Sequence, residues 1–264
     1  MPDPFDQAKL RAPRVSPHTV MCARLLAFDT ATEDMAIAVQ SSIGALCFDG
    51  PGGALASARL IPEIHTLLLR AGLQLSQLQA IAFGAGPGAF TGLRTACAVA
   101  QGLAFGASLP VLAVDSLLIV AEAARDEAAA RQGMDGAFDV QVAMDARMGE
   151  VYAGAYRWAG ARWQCLSAPA LYPLAALNTL WQTHPPRCVA GSAVAAFGDA
   201  LRFGDAHVVS KAPQRAAALL RVAQGLWHDG AAIDAAAALP LYLRDKVAFT
   251  VAERQAVARS KADA

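Results

Sequence analysis

Three places in this 264-residue chain carry residues able to do chemistry. The first is Gly84-Ala-Gly86-Pro-Gly88-Ala-Phe90-Thr-Gly92-Leu-Arg94, which follows an apolar run and opens an apolar helix. Backbone amides at such a helix start can hold an anion. Glycines there equally let the chain turn tightly and let the helix sit close to a sheet. Gly84 to Ala89 fits GxGxxA, and Asp115 closes the next strand, as in dinucleotide-binding folds. Against that, Pro87 removes a donor from the turn. No Gly-Lys-Ser/Thr follows, so a Walker phosphate loop is excluded. The second place is Asp29 with Thr30 and Thr32, a carboxylate and two hydroxyls that either meet a phosphate or bond nearby amides in a turn. The third is Asp145 with Arg147, a site pair or an ion pair across a turn.

The remaining inventory argues against metal and nucleophile chemistry. His18, His65, His184, His207 and His228 lie too far apart for two ligands on one helix face. No metal site is expected, and neither HExxH nor GxSxG occurs. Cys22, Cys47, Cys97, Cys165 and Cys188 are dispersed, odd in number and form no CxxC. With no secretory signal evident, a reducing cytoplasm is the expected compartment.

These residues need elements to position them. Strand patterns occupy 24–29, 34–40 and 43–48, followed by a helix at 54–71, a strand at 79–84, a helix at 90–106, a strand at 111–114 and a helix at 116–131. A three-strand meander followed by βα units is not a doubly wound start. The second half repeats the pattern: Ala27 to Val39 has a shadow in Ala143 to Tyr156, then come a strand at 162–166, a helix at 173–183, a strand at 187–190 and a helix at 193–201. Two βββαβα copies predict an α/β fold of two actin-like, ribonuclease-H-like domains facing across a cleft. The expected division is 21–132 and 133–247, with Gly133 and Gly136 near the boundary. A helix at 213–229 is expected to pack back on the first domain. Asp29, Thr30 and Thr32 then occupy the turn at which actin-like ATPases hold phosphate. Residues 1–20 carry four prolines and no apolar period, so they are expected to be a disordered arm or the product of an early start codon, and 248–264 a tail.

Charge is balanced at 22 basic and 22 acidic residues, so the chain has no surplus with which to grip a nucleic-acid backbone unaided. The 55% hydrophobic content is inflated by 62 alanines. Segments 71–93 and 95–114 are uncharged and near spanning length except for Arg94 between them, yet their glutamines and glycines suit a soluble core rather than lipid.

Four motifs in order carry a resemblance: Leu26-Ala-Phe-Asp-Thr-Ala-Thr-Glu33, Gly86 to Arg94, Asp145-Ala-Arg-Met-Gly-Glu-Val-Tyr152, and Pro240-Leu-Tyr-Leu-Arg244. From Arg24 to about Val247 the chain resembles the TsaB family of bacterial proteins. The resemblance implies a non-catalytic scaffold subunit that pairs with a TsaD-like catalytic paralogue, with a TsaE-like ATPase joining. That complex transfers threonylcarbamoyl to N6 of adenosine 37 in tRNAs reading codons that begin with A. It also implies no cofactor on this chain, ATP and a metal ion on the partner subunits, and tRNA contact only through the complex. Two departures stand out. Ala89 replaces the family's usual Ser, and Ala56-Ser57 stands where a His-Ser or His-Thr pair is common. A vestigial phosphate loop would comprise Asp29, Thr30, Thr32, Gly86, Gly88, Thr91, Gly92 and Arg94. Weak nucleotide binding stays open, as does the alternative of a free-standing actin-like small-molecule kinase.

Two helices carry more apolar surface than one sheet needs. Helix 54–71 has Leu60, Ile64, Leu67, Leu68 and Ala71 on one side, and Leu55, Ala58, Pro62, Thr66 and Leu69 on the other. Helix 90–106 turns Leu93, Ala96, Cys97, Ala100 and Leu103 one way, leaving Thr95, Ala98, Gly102 and Phe105 as a small-residue face suited to close helix packing. These second faces are expected to meet a TsaD-like partner, or a second copy in its absence.

Overall fold

The computed structural model describes residues 23–132, 136–209 and 214–244. The expectations for residues 1–20, Gly133 and 248–264 lie outside the described residues. β1 (Leu25–Asp29) pairs antiparallel with β2 (Asp34–Ser41), which pairs antiparallel with β3 (Gly44–Pro51). α1 (Ala56–Arg70) carries the chain across, so that β4 (Ala80–Gly86) lies parallel to β1 on its other side. α2 (Phe90–Ala107) repeats the crossover to β5 (Val111–Asp115), and α3 (Ser116–Gln132) follows. The first sheet therefore reads β3-β2-β1-β4-β5.

The second half follows the same path. β6 (Phe138–Asp145), β7 (Glu150–Trp158) and β8 (Trp163–Pro173) form the meander. Then come α4 (Leu174–Thr183), β9 (Cys188–Ala190), α5 (Ala193–Phe197), β10 (His207–Val209) and α6 (Arg215–His228). The sheet order β10-β9-β6-β7-β8 mirrors the first, and β6 stands where β1 stands. Three elements differ from the sequence expectation. β10 has only three residues, too few for an alternating pattern to register. The expected helix at 193–201 is α-helical only to Phe197, and a 3-10 turn over 198–200 completes it. β8 runs on past residue 166 through Ser167-Ala-Pro169, because two register shifts against β7 absorb the break in pattern.

Alternation along β1 sends side chains to opposite faces. Leu26 and Phe28, with Ile81 and Phe83, meet Leu60, Ile64, Leu67, Ala96 and Ala100 of α1 and α2. Leu25 and Ala27, with Ala36, Ala38 and Ala82, meet Ala216, Leu219, Leu220 and Ala223 of α6. Small residues on both sides of that second contact let α6 lie close to the sheet. α3 belongs to both halves. Its Ile119 and Ala123 join the α6 core, while Leu117, Val120, Ala121 and Ala124 pack on Phe138, Val140, Val142 and Tyr156 of the second sheet. Part of the alanine excess is thus spent on helices wedged between sheets. Among the described residues, no helix is long and apolar enough to cross a membrane.

Polar groups lock this wedge. Glu122 of α3 is 2% exposed. It accepts hydrogen bonds from Arg125 at 2.8 Å, from Arg221 of α6 at 2.6 Å and from the Trp163 indole of β8 at 2.8 Å. One carboxylate thereby ties α3, α6 and the second sheet. A second link runs from the Tyr156 hydroxyl to Asp115 at 2.6 Å, while Asp115 also caps α3 through the Leu117 amide.

Burial alone would raise the Glu122 pKa, but the hydrogen bonds and charges of Arg125 and Arg221 outweigh it and hold the carboxyl below its ordinary value. Its stabilising contribution is therefore complete above the pKa of an unfolded glutamate, about 4.3, and is lost as pH falls through the depressed native value. Glu122→Gln should lower unfolding free energy by about 3–5 kcal/mol, the cost of breaking a buried ion pair. It should also flatten the acid limb of the stability curve. Urea unfolding across pH 3–7 checks both, and an unchanged midpoint would contradict this role.

Candidate functional site

β1 ends at Asp29, whose residue is fully buried. Its Oδ1 accepts the Ala31 amide at 2.7 Å, which closes the turn. Its Oδ2 faces a residue 186 positions away, the Arg215 guanidinium at the start of α6, at 2.5 Å. The same guanidinium donates to Thr32 Oγ1 at 2.5 Å and to the Asp34 carbonyl at 3.3 Å. The Thr32 hydroxyl donates a hydrogen bond to that carbonyl at 2.7 Å, and Thr30 donates to the Gly92 carbonyl at 2.7 Å. The carboxylate and both hydroxyls are thus engaged inside the protein.

The Gly-rich turn between β4 and α2 lies directly on this one. Ala89 N–H donates to the Ala31 carbonyl at 2.8 Å. A Cβ at Gly92 would overlap the Thr30 carbonyl, and one at Gly84 would overlap the Asp29 carboxylate. Glycine is required at both by close approach. Gly88 likewise rests on Ala31, and the Gly86 amide donates to Ser116 Oγ at 3.2 Å. In this arrangement the carboxylate that would face a cation already faces a guanidinium. The helix start has no side-chain cap, because Ala89 offers no oxygen to the free amides of α2. Ala56, one of the two departures from the family pattern, opens α1 and is buried.

Two members of the expected loop lie apart. Thr91 is exposed, with its carbonyl accepting the Thr95 hydroxyl. Arg94 turns away to stack on Phe90, 3.9 Å from the ring centroid, and donates to the Tyr242 hydroxyl at 3.0 Å. Asp145 repeats the geometry of Asp29: its Oδ1 accepts the Arg147 amide at 2.8 Å. Arg147 pairs with Asp145 at 3.2 Å and with Glu33 of the first half at 2.7 Å. The Glu33 and Arg147 side chains are largely exposed, so this bridge between halves is weak.

Sequence reasoning missed Arg215, Tyr242 and Arg244. Arg244 reaches Glu150 at 2.5 Å and the Ala146 carbonyl at 3.0 Å, which anchors the closing segment to the β6–β7 turn. The Pro240-Leu-Tyr-Leu-Arg244 motif signalled the last two; nothing marked Arg215. Among the described residues, no group of three or more His, Cys, Asp or Glu side chains is placed to hold a metal ion. Burial pushes the Cys47 and Cys188 thiols up to about 11, so they are protonated near neutrality and poor nucleophiles.

The outer helix faces are bare. Leu55, Ala58, Pro62, Thr66 and Leu69 of this stretch are all exposed, as are Ala98, Gly102 and Phe105; Thr95 is half-buried. Leu69 is 73% exposed and Phe105 59%. Exposed leucines and a phenylalanine on two adjacent helices make an apolar surface of the kind that marks a docking site. Thr66 covers the carbonyl of Pro62 at 2.9 Å, on the face where the proline interrupts helix bonding.

A family model described as "TsaD: tRNA N6-adenosine threonylcarbamoyltransferase" matches residues 55–219. A tRNA threonylcarbamoyladenosine biosynthesis protein TsaB from Escherichia coli is 31% identical over 248 residues, covering 86% of this chain and 96% of that protein. The TsaB of Haemophilus influenzae is 41% identical over 128 residues, 48% of this chain and 51% of that one. Among solved structures, YeaZ from Pseudomonas aeruginosa aligns with a TM-score of 0.72 at 36% identity, covering 84% of this chain and 100% of that chain.

The Asp29–Arg215 pair generates a direct test. Arg215→Ala leaves a fully buried carboxylate without its counter-charge and should destabilise by about 3–5 kcal/mol in urea unfolding. Adding Asp29→Asn should recover part of that loss, as expected for coupled neighbours. Strictly additive effects of the two substitutions would contradict the pairing.

Proposed function

The chain belongs to the TsaD family as a TsaB-like member, and we propose that it is the non-catalytic subunit of a complex that makes threonylcarbamoyladenosine in tRNA. In this reading a TsaD-like paralogue performs the transfer to N6 of adenosine 37, and a TsaE-like ATPase joins it. ATP and a metal ion belong to those partners, tRNA is reached only through the complex, and the setting is the reducing cytoplasm. The observation that carries the reading is the filled β1 turn. Where an actin-like catalyst would present a carboxylate to a metal-bound phosphate, Asp29 is committed to Arg215. What the molecule has to offer is instead the bare apolar side of α1 and α2.

Chemistry at the turn is correspondingly passive. Asp29, Thr30 and Thr32 hold two turns and a helix start in register, which keeps α2 at a fixed height on the sheet. The partner then meets a preformed surface, which limits the ordering cost of association. A second copy is proposed to take the partner's place when it is absent. The Asp145–Arg147 turn serves structure, not catalysis.

Leu69→Asp or Ala98→Arg places a charge on this outer face without touching the sheet-facing core. Each variant should melt as the wild type does, yet lose association with the TsaD-like partner in size-exclusion or titration measurements, since one buried unpaired charge costs several kcal/mol. Retained wild-type affinity in both would move the contact elsewhere. The isolated chain should also show negligible ATP turnover; turnover at about 1 per second or more, abolished by Asp29→Ala, would favour a free-standing kinase.

A further inference from the structure

Arg94 is the only charged residue of α2. It lies on the same face as Ala98, Gly102 and Phe105, one turn towards the helix start. Its exposed guanidinium is held by stacking on Phe90 at 3.9 Å and by the bond from Nε to the Tyr242 hydroxyl. The Phe90 and Tyr242 rings themselves sit 5.2 Å apart, which fixes the platform. These contacts use one edge of the guanidinium and leave the terminal NH₂ groups without a carboxylate among the described residues. An arginine immobilised in this way has little further freedom to lose on binding, and its fork geometry matches a planar anion.

The charge around it narrows the choice of anion. α1 carries one carboxylate, Glu63, already paired with Arg59 at 2.9 Å. Arg70 closes α1 and is exposed. The two helices thus present basic groups and no unpaired carboxylate. A second copy using this same face would have no free carboxylate to offer Arg94, because both sides of such a contact carry the same residues. A partner of a different sequence with an acidic residue at that point would complement it.

Resting on the reading that the α1–α2 face is the docking surface, we infer that Arg94 receives a carboxylate side chain of the protein partner and so selects a heterologous partner over a second copy. The aromatic platform positions the guanidinium; the carboxylate forms charge-assisted hydrogen bonds with its free NH₂ groups.

Affinity for the TsaD-like partner should be measured for wild type, Arg94→Met, Arg94→Lys and Leu69→Asp over a range of salt concentrations, with melting curves for each. Arg94→Met keeps the apolar stem and so separates packing from charge. It should weaken association about tenfold or more, flatten its salt dependence and leave the melting temperature unchanged, while Arg94→Lys recovers part of the affinity. Self-association of the isolated chain should not weaken in Arg94→Met. Wild-type affinity in Arg94→Met together with loss in Leu69→Asp would overturn the inference and leave the docking face standing. Wild-type affinity in Leu69→Asp would overturn the docking face and the inference together. ATP or inorganic phosphate bound by the isolated chain and lost in Arg94→Met would give the guanidinium to a phosphate instead, and overturn it likewise.

Discussion

A fully buried carboxylate cannot stand without a counter-charge, and the structure meets that demand at Asp29 with Arg215. The pair joins the first strand of the first sheet to the last long helix, across almost the whole described sequence. Because Arg215 opens α6, the ion pair fixes where that helix starts on the sheet. The alanines of Ala216, Ala218 and Ala223 then let it settle against Ala27, Ala36 and Ala38. Glu122 extends the same logic one layer outward, drawing Arg221 from α6 and Arg125 from α3 to one buried oxygen pair. The two halves are joined by the apolar packing of α3 on the second sheet and by the bonds from Trp163 to Glu122 and from Tyr156 to Asp115.

This arrangement divides the first sheet's surroundings into two roles. One face is spent on internal cohesion, covered by α6 with α3 behind it. The other is covered by α1 and α2, whose inner stripes are buried and whose outer sides are apolar with little charge. The β1 turn is thus filled by an arginine, while the outer sides of these two helices stay exposed. In the repeat, Asp145 ends β6 as Asp29 ends β1 and accepts the amide two residues on, as a turn former.

Local features were legible in the sequence. The meander, both crossover helices of the first half and the repeat all follow from alternation, helical period and glycine placement, and the inner stripe of α1 agrees with the residues buried there. Long-range partnerships were not legible. Arg215 sits in a stretch with no motif, and its match to Asp29 depends on how α6 folds back over the first sheet. Arg94, in the helix expected at 90–106, was grouped with a vestigial phosphate loop for its place after the glycines, yet the helix phase carries it outward to Tyr242, 148 positions later. β10 escaped notice because three residues hold no period. In each case the missing information was tertiary.

The central claim is that this chain supports threonylcarbamoyl transfer without performing chemistry at its own β1 turn. It is tested most directly by reconstituting tRNA modification with the TsaD-like and TsaE-like partners and replacing the wild-type chain by the Asp29→Asn, Arg215→Met double variant, which removes both buried charges together. The account predicts that modification requires the chain and that the double variant, at concentrations that saturate the partner, supports it at a near wild-type rate. Loss of modification while the variant still binds its partner at wild-type affinity would contradict it and return Asp29 to the chemistry.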